Sequence, residues 1–176
     1  MRAGVALGSN LGERLANLRR TRNEIAALNG IRPPILSSTI YETEPIGCET
    51  GAGKFLNAAV DFGYAGEPQN LLEELAAIEQ KLGRPAGHPQ NTSRTIDLDL
   101  LYCGDLEITT AGLQLPHPRM IEREFVLRPL ADIVPDLIVP KQTERIRELL
   151  AQLPETGTVL CFAPEWSIGS NAGVPR

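Results

Sequence analysis

The chain lacks most of the features that would mark a specialised class. Its three cysteines, Cys48, Cys103 and Cys161, are far apart and form no C-x-x-C pair. That spacing argues against a disulfide framework or a zinc site and fits reduced, apolar thiols in a reducing compartment. No apolar run approaches the ~20 residues of a membrane helix. The apolar stretch in "MRAGVALGSN" is too short for a secretory signal, so a soluble, cytoplasmic protein without a membrane partner is expected. There is no basic excess either. The formal charge of −5 argues against a general binder of nucleic acid or acidic membranes. The pattern G-x-x-x-x-G-K-[ST] is missing, which excludes a P-loop. Internal repeats and low-complexity segments are also missing. The 176 residues therefore suggest one domain over 1–163, followed by a loosely held tail at 164–176 without periodicity.

What is present is ordinary globular material, 42% hydrophobic and 22% charged, enough for a core. "RAGVALGSN" reads as a strand that runs into a Gly-Ser-Asn turn. "LGERLANLRRTRNEIAALNG" sets Leu15, Leu18, Ile25 and Leu28 at helical spacing and stops on Asn29-Gly30. Arg19, Arg20 and Arg22 fall on its solvated face. "ILSSTIYETEP" reads as one strand ended by Pro45, and "KFLNAAVDFGY" as the next. The Gly-rich "IGCETGAGK" between them is longer than a hairpin needs and is expected to be mobile. "EPQNLLEELAAIEQKLGR" is an amphipathic helix with Leu71, Leu72, Leu75, Ile78 and Leu82 on its apolar side and Gly83 at its end. "RPAGHPQNTS" is a loop and "RTIDLDLLYC" another strand. This βαββαβ order predicts an α+β, ferredoxin-like core with helices packed on one face of an antiparallel sheet. Beyond it, a helix over 122–133, a helix in "TERIRELLAQL" capped by Thr143, and a strand in "GTVLCFA" are expected.

The last strand of that core carries the chemistry. Alternation puts Thr95, Asp97, Asp99 and Leu101 on one face and Ile96, Leu98, Leu100 and Tyr102 on the other. The two carboxylates lie about 7 Å apart at Cα, from ~3.3 Å of rise per residue. Like charges that close repel unless a cation or an arginine lies between them. Carboxylate oxygens suit Mg²⁺, and a pair on a rigid strand can hold two ions across a phosphate chain. Two solvent-facing acids are the plain reading of a bare D-x-D. Arg94 beside them favours phosphate, which arginine grips with paired hydrogen bonds.

Other candidates admit two readings. The Gly8-Ser9-Asn10 turn could offer backbone N–H groups to an anion. Asn57 either reads the edge of a heterocycle or satisfies a buried backbone group. Phe55 and Phe125 suit a core as well as a stacking platform. His117, between two prolines, is structural or, with Arg119 and Arg123 nearby, a phosphate contact. A "GS…DxD" nucleotidyltransferase would use the same letters, but Gly8-Ser9 lies far upstream of Asp97 rather than in one local unit.

Five motifs follow one another in the chain: "ALGSNLGERLANL" (6–18), "YETEPIG" (41–47), "FLNAAV" (55–60), "RTIDLDLLYCGD" (94–105) and "LPHPRMIEREFVLRPLADI" (115–133). In order and spacing they resemble the 6-hydroxymethyl-7,8-dihydropterin pyrophosphokinase family of folate biosynthesis, over about residues 3 to 153. The resemblance implies transfer of pyrophosphate from ATP to the pterin hydroxymethyl group with release of AMP. It also implies helices on both sides of the sheet. By position, Asp97 and Asp99 correspond to ligands of two Mg²⁺ ions, and Arg84 and Arg94 to two loop arginines that neutralise the transferring group. Asn57 and Phe125 match pterin contacts, with Thr43, Glu44, Pro45 and Ile46 as the segment whose backbone lines that pocket. Leu100, His117 and Arg123, with Arg84 and Arg94, match nucleotide contacts. A monomer is expected. Departures are Asn91, where some members have a tryptophan over the pterin, and Ala76 and Gly112, where some have polar nucleotide contacts.

Overall fold

The computed structural model describes residues 1–45, 51–83, 93–154, 158–163 and 166. Most of the two long connections and of the tail lies outside this set, as do Ile46, Cys48, Arg84 and Asn91.

The chain runs β1 (Arg2–Ser9), α1 (Arg14–Ala26), β2 (Ile31–Ser37), β3 (Ile40–Thr43), β4 (Phe55–Tyr64), α2 (Pro68–Lys81), β5 (Asp97–Cys103), β6 (Ile108–Thr109), β7 (Gln114–Leu115), α3 (Glu124–Ile133), α4 (Ile146–Gln152) and β8 (Val159–Ala163). The main sheet has the order β5-β1-β4-β3-β8, and β2 also pairs with β4. All its pairings are antiparallel. With β2 and β3 taken as one interrupted strand along β4, the first four positions give the ferredoxin-like order, and β8 extends the sheet past β3. The hairpin β6–β7 was not expected from the sequence; two residues per strand leave no period to read.

Two apolar layers hold the sheet. On one face Val5, Leu7, Leu56, Ala58, Val60, Leu98 and Leu100 pack with Leu18 and Ile25 of α1 and Leu71, Leu75 and Ile78 of α2. On the other, Ala59, Leu101 and Tyr102 pack with Val126, Leu127 and Leu130 of α3 and Ile146 and Leu149 of α4. Helices therefore cover both faces, not one, because α3 and α4 bury the face that the βαββαβ unit leaves open. The burial in α1 and α2 follows the three- and four-residue spacing read from the sequence.

Four expectations change. The strand expected over "ILSSTIYETEP" is two, broken at Ser38. Ser38 donates its N–H to the Ala59 carbonyl (3.0 Å) while its hydroxyl accepts the Ala59 N–H (2.9 Å), so a side chain replaces one carbonyl of the ladder. Tyr102 does not share a face with Leu98 and Leu100. Val5 pairs with Leu100 and Gly4 with Tyr102, so Leu101 is the extra residue of a β-bulge and the alternation reverses beyond it. The last long helix starts at Ile146 rather than near Thr143. The Arg145 N–H donates to the Glu148 carboxylate (2.8 Å), and the Thr143 hydroxyl turns to Glu144 (2.9 Å). The helix expected from 122 starts at Glu124, after a 3-10 turn over Met120–Glu122, with Arg123 extended between them.

Arg22 is more than a solvated charge. Its Nε donates to Ser37 Oγ (2.7 Å), and its guanidinium lies 5.9 Å from the centre of the Trp166 ring. Trp166 donates its indole N–H to the Ser38 carbonyl (2.6 Å), which anchors the one described tail residue beside the β2–β3 break.

Candidate active site

Among the described residues β5 is an edge strand of the sheet, paired with β1 alone. Its alternation holds up to the bulge: Leu98 and Leu100 are buried beneath the sheet, while Asp97 and Asp99 keep 25% and 34% of their side chains exposed on the α3 side. Leu100 therefore turns its side chain away from the carboxylates, which leaves its main chain for any ligand contact. The free edge is partly used already: the Leu98 N–H donates to the Glu79 carboxylate on α2 (2.7 Å).

Each aspartate has an arginine. Arg94 Nη1 lies 2.8 Å from Asp97 Oδ1, and Arg123 Nη1 lies 3.6 Å from Asp99 Oδ2. The arginines do not cancel the crowding. Burial and the Asp97 charge push the Asp99 carboxyl above its usual range, against the pull of His117, Arg123 and Arg94. Burial lowers the His117 imidazole, against the pull of Asp99, which favours the neutral ring. Its Nδ1 accepts the Arg119 N–H (3.2 Å), which leaves Nε2 as the ring donor. The loop is set by the His117 N–H, which donates to the Leu101 carbonyl at the bulge (2.7 Å).

From Asp97 a row of partners crosses the sheet on the same face: Gly8 on β1, Asn57 on β4 and Tyr41 on β3. The sequence offered Gly8 only as part of an anion-binding turn, not as part of a floor. A Cβ there would come 3.3 Å from Asn57 Oδ1, 3.7 Å from Phe55 and 3.8 Å from Asp97 Cβ. The missing side chain leaves flat floor between the amide and the carboxylate. Asn57 is buried and donates its Nδ2 to Thr43 Oγ1 (2.7 Å), which directs its Oδ1 toward that floor. Thr43 and Phe125 line a cleft of about 250 Å³ with Arg119, Arg123, Leu153 and Val159. The Arg123 guanidinium lies 5.5 Å from the Phe125 ring centre, so Phe125 belongs to the cleft wall rather than the deep core. Glu44 turns outward to Lys54 (2.7 Å), and Pro45 is half-buried.

The expected Gly-Ser-Asn turn offers no anion cradle, because Gly8 and Ser9 are paired at the end of β1 and the turn begins only at Asn10. The Asn10 N–H donates to the Arg94 carbonyl (3.1 Å), and the Ser9 hydroxyl donates to the Thr95 carbonyl (2.6 Å). Asn17, buried on α1, supports the same turn through Leu11 and Thr95. The signal for this network was visible as amides beside apolar runs, but their partners are distant in sequence.

The carboxylate pair fits Mg²⁺. It supplies hard oxygen donors, and no group of three His, Cys, Asp or Glu suited to a metal occurs among the described residues. An octahedral ion here would need water and phosphate oxygens to complete its shell, as Mg²⁺ sites commonly do.

A profile described as 7,8-dihydro-6-hydroxymethylpterin-pyrophosphokinase matches residues 4–135. A 2-amino-4-hydroxy-6-hydroxymethyldihydropteridine pyrophosphokinase from Synechocystis is 37% identical over 169 residues, covering 96% of this chain and 84% of the relative. One from Methylorubrum extorquens is 40% identical over 156 residues, covering 89% and 96%. One from Bacillus subtilis is 44% identical over 133 residues, covering 74% and 77%. Among solved structures, Plasmodium falciparum HPPK-DHPS with pteroate superposes with a TM-score of 0.65 at 15% identity. That match covers 86% of this chain but only 42% of the longer one, and it speaks for the fold alone.

Proposed function

The chain belongs to the 7,8-dihydro-6-hydroxymethylpterin-pyrophosphokinase family, and from that premise we propose how its residues divide the work. The reaction passes the terminal pyrophosphate of ATP to 6-hydroxymethyl-7,8-dihydropterin. The hydroxymethyl oxygen attacks the β-phosphorus, the bond from that phosphorus to the α–β bridging oxygen breaks, and AMP leaves with the bridging oxygen. The hydroxyl proton is lost in the same step.

Such transfer needs alignment and charge neutralisation more than covalent help. The observation that carries the reading is the row Asp97–Gly8–Asn57, which sets a carboxylate and an amide on either side of an open floor. A flat ring on that floor would meet the Asn57 amide at its edge and the Phe125 ring at its face, with its hydroxymethyl group toward Asp97. Thr43 fixes the amide, and the main chain of 43–45 closes that side of the pocket, with Ile46 assigned to it by its position in the family pattern. Asp97 aligns the hydroxyl and accepts its proton.

Asp97 and Asp99 would hold two Mg²⁺ ions. When bound, these would supply positive charge to the phosphate oxygens. Arg94, Arg123 and neutral His117 bind and orient the triphosphate, as donors that need not change protonation state. Arg84 joins them by its position in the family pattern, and Leu100 contributes main chain to the nucleotide side. The proposed setting is a monomer in the cytoplasm, a reducing compartment that three scattered cysteines without a C-x-x-C pair fit; none of the described helices is long and apolar enough to cross a membrane.

The test is direct. Purified protein with ATP, Mg²⁺ and 6-hydroxymethyl-7,8-dihydropterin should release AMP and pterin pyrophosphate in equal amounts. A nucleotidyltransferase would instead release free pyrophosphate. No AMP above background would overturn the reading.

A further inference from the structure

We propose that Asn10 is a positioning residue for the transfer and acts through Arg94. The inference rests on the role given to Arg94 above. Asn10 is 6% exposed, at the end of the strand that pairs with β5. It holds both main-chain polar groups of Arg94, one on each side of its Cα. Its Oδ1 accepts the Arg94 N–H (2.7 Å), and its own N–H donates to the Arg94 carbonyl (3.1 Å). Its Nδ2 donates to Ser93 Oγ and to the Gly53 carbonyl, both at 3.3 Å. One buried side chain thus ties Ser93 and Arg94, ahead of β5, and Gly53, next to Lys54, to the end of β1.

The position of the clamp gives it consequence. Arg94 lies outside β5, which begins at Asp97, so no ladder among the described strands sets its backbone. The Asn10 pair is the two-way hydrogen-bond contact that substitutes for a ladder there. With the backbone fixed, the Arg94 guanidinium reaches Asp97 Oδ1 at 2.8 Å. Freeing the Arg94 N–H lets the guanidinium drift relative to the carboxylate, and misplacement of about 1 Å in such a site costs about a hundredfold in rate.

The experiment is a double-mutant cycle with Asn10→Ala, Arg94→Ala and the double variant, read by single-turnover AMP formation and by KM for each substrate. Asn10→Ala keeps its main-chain bond to the Arg94 carbonyl. It is expected to lower kcat ~10- to 100-fold with KM for the pterin within about twofold. In the Arg94→Ala background the same change should cost less than about twofold. Additive losses, or an unchanged kcat for Asn10→Ala alongside a large loss for Arg94→Ala, would overturn the assignment to Asn10 alone. Full activity of Arg94→Ala would instead overturn the reading beneath it. If Asn10→Ala does not fold, Asn10→Ser takes its place in the same cycle, with the same two outcomes.

Discussion

Arg94 Nη1 lies 2.8 Å from Asp97 Oδ1, three residues further along the chain. The contact places a permanent cation beside the carboxylate proposed to face the pterin hydroxyl. It also leaves Asp99 as the member of the pair whose charge is less well compensated, since its own arginine stands 3.6 Å away.

Replacing Asp97 tests the chemistry with little risk to the fold. The side chain is a quarter exposed and its neighbour across β1 is glycine. Asp97→Ala should lower AMP formation ~10²- to 10³-fold. Its circular dichroism and melting curve should match those of the parent. Retained turnover would remove Asp97 from the mechanism.

Asp99 should trade stability for activity. Its carboxyl titrates above the usual range in the folded protein, through burial and the Asp97 charge, against ~3.9 in an unfolded chain. The folded state thus binds that proton more tightly, and the corresponding stability is lost as pH rises through the folded value. In metal-free buffer at pH 7, Asp99→Asn should melt at a higher temperature than the parent while losing most of its activity. A lower melting temperature would show that the Arg123 contact outweighs the crowding.

Two glycines of β1 should respond differently to alanine. A Cβ on Gly8 meets the Asn57 oxygen at 3.3 Å, a tight contact at the edge of the open floor. Gly8→Ala should raise KM for the pterin at least about tenfold with small change in melting temperature, by analogy with the ~1–3 kcal/mol of one misplaced methylene. A Cβ on Gly4 would lie 2.3 Å from the buried Tyr102 ring. Gly4→Ala should destabilise the fold by about 1–3 kcal/mol or more, read in urea or thermal unfolding.

The cysteines should separate by reactivity. Cys103 is fully buried, and burial pushes its thiol up to about 11, whereas Cys161 is exposed on β8. At pH 8 only ~10⁻³ of Cys103 is thiolate, so a thiol reagent should modify Cys161 and leave Cys103 until the protein unfolds. The raised value also makes Cys103 favour the fold below the ~8.5 of a free thiol, a contribution lost as pH rises toward 11. Rapid labelling of Cys103 in the native protein would contradict its burial.

The sequence by itself determined the βαββαβ order, the apolar faces of α1 and α2 and the shared face of Asp97 and Asp99. Each depends on a short period, 3.6 or 2, that local residues carry in full. It also marked Asn57, an amide inside an apolar strand, and His117 with Arg123 in a proline-bounded loop as site candidates, while Phe125 entered only through the family pattern. Tertiary structure decided the rest. The bulge at Leu101 turns Tyr102 over, since the partner Gly4 has room beneath the ring. The break at Ser38 arises from a hydroxyl that meets Ala59, twenty-one residues away. The use of Gly8 as floor, and of Asn10 as a clamp on Arg94, depends on which strands lie side by side. A period along one strand says which face a side chain takes, but only the pairing of strands says what it meets there.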